Sequence, residues 1–217
     1  MIREIRNELQ IAGSNLFIIS ASFAGILIVL ALLAGELLDL SGIGFEVLFP
    51  FFAVIAVGEW GKTRADDNYD VIAAQSKSLF KWMAIRYIAV MGAVSTFAIV
   101  GMAAVSFIRN EMPVWELLLT YFPTAFFLSS IGAWIGAYVP QEHVATLSCG
   151  VMWLVVLMAR SLLQFPGVEY FYLFIRYAGD PNGIWLINKI ILCAVGSAIW
   201  GAIYLTCKRR KTLEKSY

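Results

Sequence analysis

The chain has 217 residues, 60% of them hydrophobic and only 14% charged, with a formal charge of +1 and a mean hydropathy of +0.78. A water-soluble domain carries about 45–50% apolar and about 25% charged residues, so the composition argues against a soluble globule, and more firmly against disorder. The near-zero charge supplies no field for gathering nucleic acid, and no nucleic-acid partner is expected.

The first 15 residues combine charge with an apolar stripe. In IREIRNELQIAG, Ile2, Ile5, Leu9 and Ala12 recur at spacings of three and four, while Arg3, Glu4, Arg6 and Glu8 lie elsewhere around the helix. That pattern suits a helix lying in a membrane interface, with a plain charged leader as the alternative. The apolar run that follows lacks an A-x-A cleavage pattern and reads as a retained anchor.

A bilayer core about 30 Å thick needs roughly 20 mostly apolar residues per helix. Six segments qualify: 16–33, 42–60, 87–108, 117–139, 144–163 and 184–207. The second contains Glu46 and Pro50, and a Pro in a membrane helix is tolerated as a kink. With the N-terminus inside, all but Arg109, Arg160, Arg176 and Lys189 of the 16 basic residues fall on the inner side. Excess Lys and Arg mark the cytoplasmic side, so both termini are expected there. The chain reads as one all-α membrane domain, 1–217, without a repeat or a low-complexity linker.

Besides residues 1–15, two polar pieces are substantial, 61–86 and 164–183, and a basic tail covers 208–217. The inner loop 61–86 mixes an acidic cluster, a short apolar stretch and a basic one. Asp66, Asp67 or Asn68 suits a helix cap, and YDVIAAQSKSLF then reads as a short amphipathic helix that a soluble partner can grip. A solvated connector whose Lys77, Lys81 and Arg86 only fix topology explains the same residues. The Gly61-Lys62-Thr63 triplet lacks the glycine of a phosphate-binding loop, since Ala56 stands in its place, and no ATP site is expected in this chain. The turn 140–143 is tight and holds the only histidine, His143.

The outer piece 164–183 is rich in aromatic residues, among them Phe165, Tyr170, Phe171, Phe174 and Tyr177. Aromatic rings favour the headgroup level, and Gly167, Gly179, Pro181 and Gly183 supply turns. The reading is a set of short helices that dip back into the outer leaflet, against an ordinary interfacial belt. Glu46, Glu116 and Lys189 lie near the outer span ends and are expected to snorkel outward. Without a mid-membrane acidic relay, a nucleophile with its base, or a metal-ligand motif, neither an enzyme nor a bound metal or cofactor is expected. Cys149, Cys193 and Cys207 are too scattered for a disulfide framework.

This arrangement resembles the membrane subunit of type-2 ATP-binding cassette (ABC) exporters over nearly the whole chain. The resemblance rests on an N-terminal elbow helix, six spans with both ends inside, and a re-entrant outer segment before the last span. Its local match is FPFFAVIAVGEWGKTRADDNYDVIAAQSKSLFKWMAIRYIAV, where a Glu closes the second span and a polar stretch and short helix follow. The resemblance implies a bacterial plasma-membrane permease with a second permease subunit, identical or a close paralogue, and two copies of a separate P-loop ATPase that binds ATP and Mg. It implies coupling to that ATPase through Asp66, Asp67, Asn68, Tyr69, Asp70, Val71 and Gln75, a cytoplasmic gate at Glu59, and an outer gate of Phe165, Tyr170, Phe171, Phe174 and Tyr177. The implied cargo is hydrophobic or amphipathic, a peptide of the bacteriocin or lantibiotic kind, exported or expelled for self-immunity. An ion-coupled secondary transporter or channel, or a membrane scaffold subunit, remains the alternative.

Overall fold

A computed structural model describes residues 2–33, 44–62, 66, 79–108, 113–141, 143–179 and 183–213. Among them the regular structure is helical throughout, with no strand. Helix α1 spans Ile2–Leu33 and is broken at Gly13, whose φ of 73° and ψ of −178° are not helical. That backbone region is open essentially to glycine alone, so Gly13 separates the N-terminal turns from the apolar run behind them. Arg3 and Arg6 are exposed, while Leu9 and Ala12 pack against the core, the sidedness that their spacing predicts.

The next element opens with a π-helical turn, Gly44–Leu48, and continues as α2, Phe49–Trp60. Pro50 has no N–H to offer the carbonyl four residues back, that of Glu46, and a widened turn at this point fits that loss. At this turn the Trp153 indole N–H donates to the Val47 carbonyl at 2.9 Å. Then come α3 (Leu79–Ile108), α4 (Val114–Tyr138, with Pro123 inside it) and α5 (Val144–Met158), the last running into a 3₁₀ turn, Ala159–Gln164. A second 3₁₀ turn, Val168–Tyr170, precedes the final helix α6, Trp185–Leu213.

Among the described residues five helices are long and apolar enough to cross a membrane: Arg3–Val29, Leu79–Ile108, Val114–Tyr138, Val144–Gln164 and Trp185–Lys208. Three of them agree closely with segments read from hydropathy, whereas the first continues from the N-terminal helix and starts 13 residues before the segment read at 16–33, and α3 starts about two turns before residue 87. The expected second span is the exception. Its α-helical part has 12 residues, about 18 Å of rise, and the π turn interrupts it before it reaches span length.

This short element is heavily enclosed. Phe45, Phe49, Phe52, Ala53, Val54, Ala56 and Val57 are all buried, and α2 packs against α1, α3, α4 and α5. Phe23, Phe45, Phe49, Phe52 and Tyr121 form a chain of stacked and edge-on rings across the α1, α2 and α4 contacts. Close approach elsewhere needs small residues, as is general between helices that have no hydrophobic drive to associate in lipid. At Gly58 a β-carbon would collide with the Thr146 side chain of α5.

The helices differ sharply in burial. Half of the apolar window of α3 and of α4 is buried, against 22% in α1, 17% in α6 and 6% in α5. The exposed faces are apolar, including Ile26 and Val29 on α1, Val151, Val155 and Met158 on α5, and Ile190 and Leu205 on α6. A surface of this extent and chemistry belongs in a hydrocarbon solvent, and the chain has the character of a multi-pass membrane protein.

Gly13 and Gly25 offer a matched comparison, since an added β-carbon meets nothing within 4 Å at either and only Gly13 has a positive φ. Gly13→Ala is expected to lower thermal stability in detergent by about 1–2 kcal/mol through backbone strain. Gly25→Ala, in regular helix, is expected to be neutral or stabilising by up to about 1 kcal/mol; equal effects at the two sites would refute the role assigned to the break.

Candidate functional site

Charged side chains gather at the two ends of the helix bundle. At the end that carries the N-terminal helix, Arg86 of α3 is the centre. Its Nε donates to Glu8 at 2.8 Å, and its Nη1 donates to Asp66 and to the Lys62 carbonyl, both at 2.6 Å. The guanidinium also lies 4.1 Å from the ring centroid of Trp82, one turn earlier on the same helix. The planar guanidinium carries donors on several edges and so reaches these acceptors from two directions through two of its nitrogens, Nε and Nη1. Arg86 thus fastens the N-terminal helix and the start of the 61–86 loop to α3. The sequence reading gave Arg86 a topological part only, because Glu8 and Asp66 lie 78 and 20 residues away.

Beside it, Glu59 near the end of α2 meets His143. The His143 Nδ1 and Glu59 Oε1 atoms are 2.8 Å apart, the Thr146 hydroxyl donates to the same oxygen at 3.3 Å, and Lys62 Nζ lies 3.7 Å from the other. His143 has a φ of 63°, a left-handed backbone that costs a residue with a β-carbon about 1–2 kcal/mol. Its place at the start of α5 is what brings the imidazole over Glu59. The expected gate residue therefore ties α2 to α5. Of the expected coupling residues, Asp66 is the one held by Arg86, whereas Asp67, Asn68, Tyr69, Asp70, Val71 and Gln75 lie outside the described residues.

At the opposite end the structure overturns an expectation. Glu46 and Lys189 do not snorkel outward; each is only 2% exposed, and Lys189 Nζ donates to Glu46 Oε1 at 2.8 Å. The reason is the supply of partners. Lys189 Nζ has three N–H donors, and the other two find the Thr124 hydroxyl at 2.8 Å and the Leu173 carbonyl at 2.9 Å. The Glu46 carboxylate also accepts from the backbone N–H of Tyr177 at 2.7 Å and of Arg176 at 3.4 Å. A buried ion pair persists only when its remaining hydrogen-bonding capacity is met in this way.

These bonds pin the irregular stretch between the second 3₁₀ turn and α6. Tyr172, Leu173, Phe174 and Ile175 are buried although they form no regular helix. Asn188 donates from its side chain to the Tyr172 carbonyl at 2.8 Å and the Glu169 carbonyl at 3.0 Å. Arg176 pairs with Glu116 and lies over the Trp185 ring, and Arg160 donates to the Ala178 carbonyl at 3.0 Å. The expected outer-gate residues divide accordingly. Phe174 is buried against Trp153 and Tyr172, Tyr170 and Tyr177 are half-buried, and Phe165 and Phe171 are exposed.

Between the ends, buried hydroxyls pair across helices. The Tyr87 and Ser129 hydroxyls are 2.7 Å apart, and the Trp200 indole donates to Ser130 at 3.1 Å. Among the described residues no three His, Cys, Asp or Glu side chains converge as metal ligands.

Replacing Arg86 with Lys keeps the charge but not the fork. A stability loss of about 1–3 kcal/mol is expected from the bonds lost, and more for Arg86→Met, which leaves Glu8 and Asp66 without their shared cation. The exposed Arg6→Met serves as reference, with a change within about 0.5 kcal/mol. Thermal unfolding in detergent checks this, and an Arg86→Lys variant as stable as Arg6→Met would refute it.

No known protein family, curated protein or solved structure matches the chain.

Proposed function

We propose that this chain is the permease subunit of an ATP-driven exporter of the type-2 ABC kind, moving a hydrophobic or amphipathic peptide across the bacterial plasma membrane. In this reading α2 completes six crossings, both termini are cytoplasmic, and the 164–183 segment re-enters the outer leaflet. Two permease subunits, identical or closely related, enclose the pathway. A pair of separate P-loop ATPase subunits holds ATP and Mg and performs the hydrolysis, so this chain is not itself an enzyme.

The observation that carries the reading is the Arg86 clamp. A loop that receives force from a partner needs a stiff foundation, and Arg86 joins the first residues of that loop, the N-terminal helix and α3 through charge-assisted bonds. Closing motion in the ATPase would enter at Asp66 to Gln75 and pass into α2 and α3 as differential energy between two states of the helices. Glu59, joined to His143 across α2 and α5, would serve as the inner gate. An aromatic-rich outer segment suits a cargo taken from the inner leaflet.

A second reading, an ion-coupled transporter or channel, draws support from one observation: a carboxylate and an ammonium buried together, the type of group that ion pathways use. A membrane scaffold subunit has no comparable support.

A tagged chain purified in mild detergent is expected to bring down a stoichiometric soluble ATPase, whose activity it stimulates. Replacing Asp67, Tyr69 and Asp70 together with Ala is expected to abolish that stimulation while membrane insertion is kept. Unchanged stimulation would refute the coupling loop. A partnerless preparation whose transport follows a proton or sodium gradient would move the assignment to the second reading.

A further inference from the structure

We infer that Glu46, Lys189 and Thr124 form a latch that holds residues 172–177 closed over one end of the helix bundle, and that release of this latch is the opening step there. The clasp is built from both sides of the chemistry. Glu46 takes two backbone N–H groups of the segment, those of Arg176 and Tyr177. Lys189 gives a donor to a backbone carbonyl of the same segment, that of Leu173. One carboxylate and one ammonium thus satisfy both kinds of backbone group in a stretch that has no helix of its own to satisfy them. Thr124 completes the cage, its hydroxyl accepting from Lys189 and pointing to the same carbonyl at 3.4 Å.

Three features distinguish a latch from a static brace. The three residues stand on three different elements, the π turn before α2, the middle of α4 and the start of α6, so relative movement of any pair opens the cage. Glu46 sits on a π turn, a local irregularity that recurs at functional sites. Finally, a buried ion pair contributes little net stability over an apolar pair of the same volume, yet breaking it on one side strands a charge, so the closed and open arrangements separate sharply. The element bearing Glu46 continues into α2, whose inner end carries Glu59 and its bond to His143. A shift of α2 along its axis therefore acts on both ends of the bundle together.

The assignment rests on the proposed function only for what lies behind the closed segment; the latch itself stands for any transporter. Its test uses no ATPase and no cargo, so it fails separately from the exporter reading. Ile175, 0% exposed, is replaced by Cys in a chain whose three native cysteines are Ala, and labelling by a polar maleimide is followed in detergent. Labelling is expected to be negligible with the latch intact and about a hundredfold or more faster in Glu46→Gln or Lys189→Ala. Ala53→Cys, also 0% exposed and in the centre of α2, is expected to stay unlabelled in the same variants, showing that the fold persists. Should those variants expose Ala53→Cys as well, Thr124→Ala, which removes a hydroxyl and no charge, is the deciding variant, with faster labelling at Ile175→Cys alone.

A rescue separates the latch from general loosening. In Lys189→Ala the cage of Glu46, Thr124 and the Leu173 carbonyl stays open to a small primary ammonium. Added propylammonium is expected to suppress labelling at Ile175→Cys, and tetramethylammonium, which has no N–H, is expected not to. Slow labelling in both Lys189→Ala and Thr124→Ala, or equal response to the two amines, would overturn the inference.

Discussion

A backbone or side-chain polar group that this chain removes from water is costly unless it finds a partner within the protein, because a hydrocarbon surrounding supplies none. Regular helices meet that demand by themselves, and most of the protein consists of them. The stretch 171–178 does not, and four of its residues, Tyr172, Leu173, Phe174 and Ile175, are buried all the same. Local turns satisfy some of its backbone groups, and the Tyr172 and Leu173 carbonyls and the Arg176 and Tyr177 N–H groups are met by Asn188, Lys189, Thr124 and Glu46. One cluster of side chains thus decides whether an irregular segment can lie inside the fold.

The same demand accounts for the shape of α2. Pro50 removes a helical bond, a π turn replaces the regular one, and Trp153 and the Glu46 partners occupy the groups at that turn. Its interruption is compatible with burial because α1, α3, α4 and α5 surround it. At the other end of α2, Glu59 meets His143, and the neighbouring Arg86 binds Glu8 and Asp66. The bundle is therefore held by charge at both ends and by apolar rings between them, with α2 as the element common to all three layers.

Helix placement was largely legible from hydropathy, since lipid thickness sets a minimum apolar length and the periodicity of a helix is local. The N-terminal helix was legible from the stripe of Leu9 and Ala12, while the break at Gly13 came only from the backbone. The ion pairs were not. Glu46 and Lys189 each lie near a segment end, where snorkelling explains either residue taken singly. The one available signal was their complementarity, an acid and a base at the same depth on two spans, and it specifies no contact between them. His143 likewise showed no partner in the sequence, because the left-handed turn that carries it over Glu59 leaves no mark in composition.

Composition and periodicity by themselves determined that the chain is an all-α protein of membrane character and where most of its long apolar helices lie. These properties follow from interactions within about one helical turn and from the solvent. Only the tertiary structure decided which charges are buried, that Arg86 gathers Glu8 and Asp66, and that Glu46 and Lys189 close on the Tyr172–Tyr177 backbone. The partners in those contacts lie up to 143 residues apart, and their pairing depends on how helices cross and how deep each sits, which no local pattern encodes.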